Sequence, residues 1–144
     1  MAVDESSFKT SFRKSLKEHF GSEVMVWTNN DMFRIGLPDF SATFRGSFFA
    51  VEAKFIKELP KRGSSKVLTH EVSEAQLSFL RGIRETGCFS AVLIGLKDVA
   101  VVMLDLKSNY TRDEILAAPR IGRDRGQWQV QWFFSSILGE PFNG

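Results

Sequence analysis

The sequence predicts an α/β domain made of a helix, a central mixed β-sheet, a second helix crossing it and two further strands. Three observations carry that expectation. Apolar residues over 5–20 recur at helical spacing, two strand-length runs meet at Arg45-Gly46, and a second capped helix leads into apolar runs at 89–96 and 99–106.

In the first helix Phe8, Phe12 and Leu16 repeat every four residues, Lys9, Arg13, Lys14 and Lys17 fall mostly elsewhere, and Gly21 is a natural stop. Val24, Val26 and Thr28 give a short alternating strand, and 29–36 reads as a polar turn. Pro38 opens a strand through Asp39, Phe40, Ala42 and Phe44, and Arg45-Gly46 turns it into a second strand over 47–55, a β-hairpin. From 56 to 70 the chain is basic and rich in turn residues, the best candidate for a mobile loop. Ser73 and Gln76 have capping-box spacing at the start of a helix through Ala75, Leu77, Leu80, Ile83 and Arg84, which Gly87 ends. The runs 89–96 and 99–106, joined by Lys97-Asp98, read as buried strands. Thr111 and Glu114 cap a short helix to Ala117. After a loop carrying Arg120, Arg123 and Arg125, Trp128, Val130 and Trp132 alternate with glutamines and suggest a last strand.

With 144 residues the chain fits one domain with a real core, and 43% hydrophobic against 25% charged residues excludes a disordered tail. Fourteen Phe against one Tyr point to an aromatic-rich interior. The single cysteine, Cys88, rules out an internal disulfide and reads as a buried small hydrophobe in a reducing, cytoplasmic compartment. The N-terminus lacks a signal pattern, and no apolar run approaches the roughly 20 residues of a membrane span, so no membrane partner is expected. A net charge of +2 neither demands nor excludes nucleic acid. Its distribution says more, with Lys54, Lys57, Lys61, Arg62 and Lys66 crowded into one stretch.

The chemistry concentrates in Pro38-Asp39 and Glu52-Ala53-Lys54. In a strand, alternate residues share a face, so Glu52 and Lys54 point one way with Phe48 and Ala50, while Phe49, Val51, Ala53 and Phe55 enter the core. The hairpin can bring Asp39 alongside. Two adjacent carboxylates repel, and a divalent cation removes that cost; carboxylate oxygens with water suit Mg²⁺ or Mn²⁺. His19 and His70 have no zinc-ligand spacing. Such a site suits phosphodiester hydrolysis, in which the metal polarises the phosphoryl oxygen and activates water while Lys54 orients that water or stabilises developing charge. At 100° per residue Glu5 lies within about 60° of Phe8, Phe12 and Leu16, at the end of the core-facing stripe, and is a candidate third metal ligand.

The ordered series Glu5, Phe8, Phe12, Leu16; Gly36-Leu37-Pro38-Asp39; Gly46; Phe49-Ala50-Val51-Glu52-Ala53-Lys54; Ser73-Glu74-Ala75-Gln76; and Gly87 before a Val-rich strand resembles the PD-(D/E)xK nucleases. More narrowly it resembles the virus-type replication-repair nuclease (VRR-NUC) family and, at a greater distance, archaeal-type Holliday junction resolvases. The match covers residues 5–95; the core would extend over 5–106, and 107–144 would be an extension of the same single nuclease domain. The resemblance implies a restriction-endonuclease-like fold and a Mg²⁺-dependent endonuclease, with Mn²⁺ substituting, that hydrolyses DNA, in particular branched DNA. It makes Glu5, Asp39, Glu52 and the Ala53 carbonyl metal ligands, with Asp39, Glu52, Lys54 and Gln76 catalytic. Small free-standing versions are common in phages. The loop after Lys54 is longer and more basic than the family's, which suits phosphate contact.

Lys57, Lys61, Arg62, Lys66, Arg123 and Arg125 are the candidate DNA-binding residues. Each feature also has a plain structural reading: a helix N-terminus favours Glu5, Ser73 needs a capping partner in Gln76, and basic loops are commonly solvated. Resolving a junction takes two symmetric cuts, so that version predicts a C₂ homodimer, with the apolar stretch 128–138 as candidate interface. The rival reading is a non-catalytic nucleic-acid-binding module on the same fold; a third is a structural subunit whose acidic cluster is solvated.

Overall fold

The computed structural model describes residues 4–29 and 36–139. Most of the turn expected over 29–36 therefore lies outside the described residues. Helix α1 (Glu5–Phe20) begins at Asp4, whose carboxylate accepts from the Ser7 N–H at 2.7 Å while the Ser7 hydroxyl accepts from the Asp4 N–H. Strands β1 (Val24–Thr28), β2 (Phe40–Phe44) and β3 (Ser47–Phe55) form an antiparallel meander. Arg45 and Gly46 both take positive φ, 50° and 80°, as a two-residue hairpin turn that matches strand twist demands.

Helix α2 (Glu74–Glu85) carries the chain from β3 across to β4 (Phe89–Gly95), which lies parallel to β3. A parallel neighbour needs such a crossover. Strand β5 (Val99–Met103), helix α3 (Arg112–Ala117), strands β6 (Arg120–Asp124) and β7 (Gln127–Trp128), a 3₁₀ turn at Val130–Trp132 and helix α4 (Phe133–Leu138) follow. The seven strands form one mixed sheet in sequence order, with β3–β4 its parallel pair.

Both faces of the sheet are covered. On one, Phe8, Phe12 and Leu16 of α1 meet Phe49, Val51 and Ala53 of β3, with Phe133 and Phe134 of α4 in the same cluster. On the other, Leu77 and Leu80 of α2 meet Ala50, Val92 and Ile94. The strand alternation expected of β3 is thus observed, and two-sided burial explains why β4 reads as a continuous apolar run.

Several expectations need correction. The last strand predicted through Trp132 stops at Trp128, because Phe133, Phe134 and Ile137 (0%, 1% and 8% exposed) draw the chain into a helix under the sheet. The same burial, with Trp128 at 3% and Val130 at 1%, removes 128–138 as an exposed dimer interface. The arginine stretch expected as a loop contains β6, held by buried Ile121 and a second two-residue turn at Arg125-Gly126, φ 52° and 77°. The 56–70 segment is not free. Val67 N–H donates to Tyr110 O, Arg112 N–H to Ser65 O and Asp113 N–H to Gly63 O, and Val67 and Leu68 are buried. Strand β5 ends at Met103 rather than 106, and Cys88 is half-buried rather than buried. Residues 107–139 add strands β6 and β7 to the sheet and Trp128, Phe133 and Phe134 to the core. Among the described residues, no helix is long and apolar enough to cross a membrane.

Candidate active site

Pro38-Asp39 leads into β2 beside the C-terminal half of β3, which brings Asp39 to Glu52. Asn29 holds this approach: its N–H donates to Asp39 O at 3.2 Å, and its Nδ2 to Pro38 O at 3.1 Å and Ser41 Oγ at 2.9 Å. The Asp39 N–H donates to Glu52 Oε1 at 3.2 Å, and the Ala53 N–H donates to Asp39 Oδ2 at 2.8 Å. The β2–β3 ladder ends with Phe40 opposite Val51. Continued by two residues, it sets Ala53 opposite Pro38, which has no N–H to give. The Ala53 carbonyl points to the same strand edge as its N–H, so this edge offers a backbone oxygen beside Asp39.

Glu52 is 2% exposed. Its Oε2 accepts from Gln76 Nε2 at 2.8 Å and lies 3.7 Å from Lys54 Nζ. Burial, followed by the charge of Asp39, pushes Glu52 up to about 8; Lys54 and Lys9 oppose this without cancelling it. Gln76 serves the helix and the site together. Its Oε1 accepts from the Ser73 N–H at 3.0 Å, which fixes the carboxamide so that Nε2 faces Glu52. One carboxamide thus caps α2 and donates to Glu52.

The residue that sequence reasoning missed is Lys9. Its Nζ donates to Asp39 Oδ1 at 2.8 Å and lies 3.6 Å from Glu5 Oε2. Burial lowers the Lys9 pKa, but the bond to Asp39 and the charges of Asp39, Glu5 and Glu52 outweigh it, and the net shift is upward. A signal existed in the spacing, since Lys9 follows Glu5 by four residues and shares its helix face. The Glu5 side chain is 47% exposed and is linked to the carboxylate pair through Lys9. Among the described residues, no three His, Cys, Asp or Glu side chains converge as a ready-made metal cluster. The donors that do meet, two carboxylates and the Ala53 carbonyl edge, are hard oxygens of the kind that hold Mg²⁺ with retained water. Lys9 and Lys54 compensate the charge of the pair only in part, and Glu52 stays raised. These residues fit a divalent cation.

A cavity of about 110 Å³ is lined by Glu5, Lys54, Phe55, Leu68, Thr69 and His70. A larger polar cavity, about 350 Å³, lies between Ser15, Glu18, His19 and the 127–131 glutamines, and neither cavity has Asp39 or Glu52 among its walls. Lys57, Lys61, Arg62 and Lys66 are all exposed on the segment that follows Lys54. Arg123 is half-buried with its guanidinium 5.1 Å from the Trp128 ring, and Arg125 is exposed in the β6–β7 turn. Strand β6 lies three places from β3, so the structure does not bring these two arginines into the carboxylate cluster.

The single mixed sheet, with the parallel β3–β4 pair and helices on both faces, is a restriction-endonuclease-like fold. A solved structure similar to it is that of Hjc, a Holliday junction resolvase from Archaeoglobus fulgidus, at a TM-score of 0.54 and 14% identity over 93% of this chain and 98% of that one. No family model matches the chain, and no curated protein matches it.

Proposed function

We propose that this protein is a divalent-metal-dependent endonuclease that hydrolyses phosphodiester bonds in branched DNA. The observation that carries the reading is the pairing of half-buried Asp39 with buried Glu52, with Lys54 and Gln76 on Glu52 and the Ala53 N–H on Asp39. The similarity in fold to a Holliday junction resolvase supports the choice of DNA as substrate.

Asp39, Glu52 and the Ala53 carbonyl would hold Mg²⁺, or Mn²⁺ in its place, with Glu5 the remaining carboxylate on that side. When bound, the cation supplies Lewis-acid polarisation of the phosphoryl oxygen and a more acidic water. Gln76 keeps Glu52 Oε1 turned to Asp39 by holding Oε2. Lys54, its side chain 13% exposed, presents an ammonium beside Glu52 that orients the attacking water and stabilises charge on the phosphate. Lys57, Lys61, Arg62 and Lys66 follow directly in the chain and offer contacts to flanking phosphates. Resolution of a four-way junction needs two symmetric cuts, so action on that substrate carries a C₂ homodimer.

The test is cleavage of labelled four-way, flap, nicked and linear DNA in Mg²⁺, Mn²⁺ or EDTA, with wild type beside Glu52→Ala. Metal-dependent cutting of a branched substrate, reduced at least about a hundredfold in the variant, is expected. Tight DNA binding without cutting under either metal would give the protein to the non-catalytic binding reading. Cutting of a flap or nicked substrate by a protein that sediments as a monomer would exclude the junction version alone.

A further inference from the structure

We propose that Lys9 is a positioning and cation-selecting residue, whose ammonium occupies the carboxylate site until a divalent cation takes its place. The inference rests on the metal-dependent reading above and concerns how that site admits its metal.

The geometry is specific. Lys9 Nζ lies 2.8 Å from Asp39 Oδ1 and 3.6 Å from Glu5 Oε2, so one ammonium stands between two of the carboxylates that would hold a metal. Its side chain and that of Asp39 are 20% and 22% exposed, which takes the contact out of the weak, fully solvated class of ion pair. Lys9 is also placed by the fold. Phe8 beside it is fully buried against the sheet, which fixes the helix rotation that sends Lys9 to Asp39. On the other side, Asp39 is held by the Ala53 N–H on Oδ2, leaving Oδ1 to Lys9.

A lysine ammonium is a compact point charge on a flexible stem, able to neutralise a carboxylate and then swing away. In the metal-free protein it offsets the repulsion between Asp39 and Glu52. It also sets a threshold: Lys9 must give up Asp39 before a cation can be held there. Weakly coordinating monovalent ions do not repay that exchange, whereas divalent ions with strong carboxylate affinity do.

The experiment is calorimetric titration of Mn²⁺ into the full-length protein without DNA, comparing wild type with Lys9→Met, Lys9→Gln and Lys9→Arg. Circular dichroism checks each fold, and Asp39→Asn marks the carboxylate site. Lys9→Met and Lys9→Gln are expected to bind Mn²⁺ at least about tenfold more tightly than wild type, a change of about 1.4 kcal/mol. Lys9→Arg, which keeps the charge, is expected to stay near wild type. Two neutral variants guard against one failing to fold. Equal or weaker Mn²⁺ binding in the folded neutral variants would overturn the role of Lys9 while leaving the metal site intact. No Mn²⁺ binding by any variant, wild type included, would overturn the metal-dependent reading and this inference with it.

Discussion

Glu52 concentrates the cost of this site in one carboxyl group. Buried at 2% exposure beside Asp39, it is raised from 4.5 to about 8. A group whose pKa rises on folding binds its proton more tightly in the folded chain. Its contribution to stability is therefore complete below about pH 4.5 and is lost as the pH climbs through about 8. Metal-free protein should lose stability over that window, and Glu52→Gln should remove this part of the slope. Above pH 8 the variant is expected to be more stable than wild type, and to show little gain at pH 4. Urea unfolding in EDTA at pH 4, 7 and 9 measures this; a variant less stable than wild type at pH 9 would refute it. The activity cost runs the other way, since the same substitution removes a carboxylate the reaction needs. Gln76 shows a second economy at this scale, one carboxamide capping a helix and steering Glu52.

At the scale of elements, the position of α2 decides where Gln76 stands. Arg84 ties its last turn to the sheet through Ser90 O at 2.8 Å and Leu104 O. Gly36 permits close approach at its first turn. It sits at φ +90°, and a Cβ there would lie 2.7 Å from Ala75 O and 2.9 Å from Ala75 Cβ. Gly36→Ala combines a strained φ with a clash against backbone, so it should destabilise by about 2–4 kcal/mol and push Gln76 away from Glu52. Thermal unfolding measures the first effect. For the second, cleavage should fall further than in a Gly82→Ala control, since nothing lies near a Cβ at Gly82. The 56–70 segment is pinned to the chain around Tyr110 and keeps its basic side chains exposed. Replacing Lys57, Lys61, Arg62 and Lys66 singly by Ala should weaken DNA binding across sequences and reduce the slope of log K against log salt by about 1 each. Binding isotherms between 50 and 200 mM salt, a range of about fourfold, would read it; unchanged slopes would assign the segment to bulk solvent.

At the scale of the molecule, the C-terminal segment holds α1 in place and so governs the side of the site that carries Glu5 and Lys9. Trp128 donates its N–H to Ser15 Oγ and its Nε1–H to Ser11 Oγ, both at 3.0 Å, and its ring meets Phe8 edge-on at 5.4 Å. From the sheet side, Gly95 leaves room for the Phe8 ring: a Cβ would lie 2.6 Å from three ring carbons. Gly95→Ala should therefore lift α1 from the sheet, cost about 1–3 kcal/mol, and alter Mn²⁺ affinity although the residue touches no carboxylate. Urea unfolding and calorimetry together check it. A loss of stability with unchanged Mn²⁺ affinity would separate the docking of α1 from the site.

Much of this was determined by the sequence alone. The helix over 5–20, the hairpin at Arg45-Gly46, the alternation that sends Glu52 and Lys54 to one face, and the Ser73–Gln76 cap all rest on local periodicity and turn chemistry, and the structure has them. These signals are local because neighbours in the chain produce them. Other features were decided only by contacts between distant segments. The arginine stretch becomes a strand because Ile121 finds the core, and residues 133–138 become a helix because Phe133 and Phe134 do. The basic loop is pinned by Tyr110 and Arg112, some forty residues further along. Lys9 reaches Asp39 across thirty residues, and no pattern within α1 names that partner. Periodicity assigns a side chain to a face of its element. Which charge waits opposite that face depends on how the elements close on one another, and that is settled only when the sheet and both its helical layers are in place.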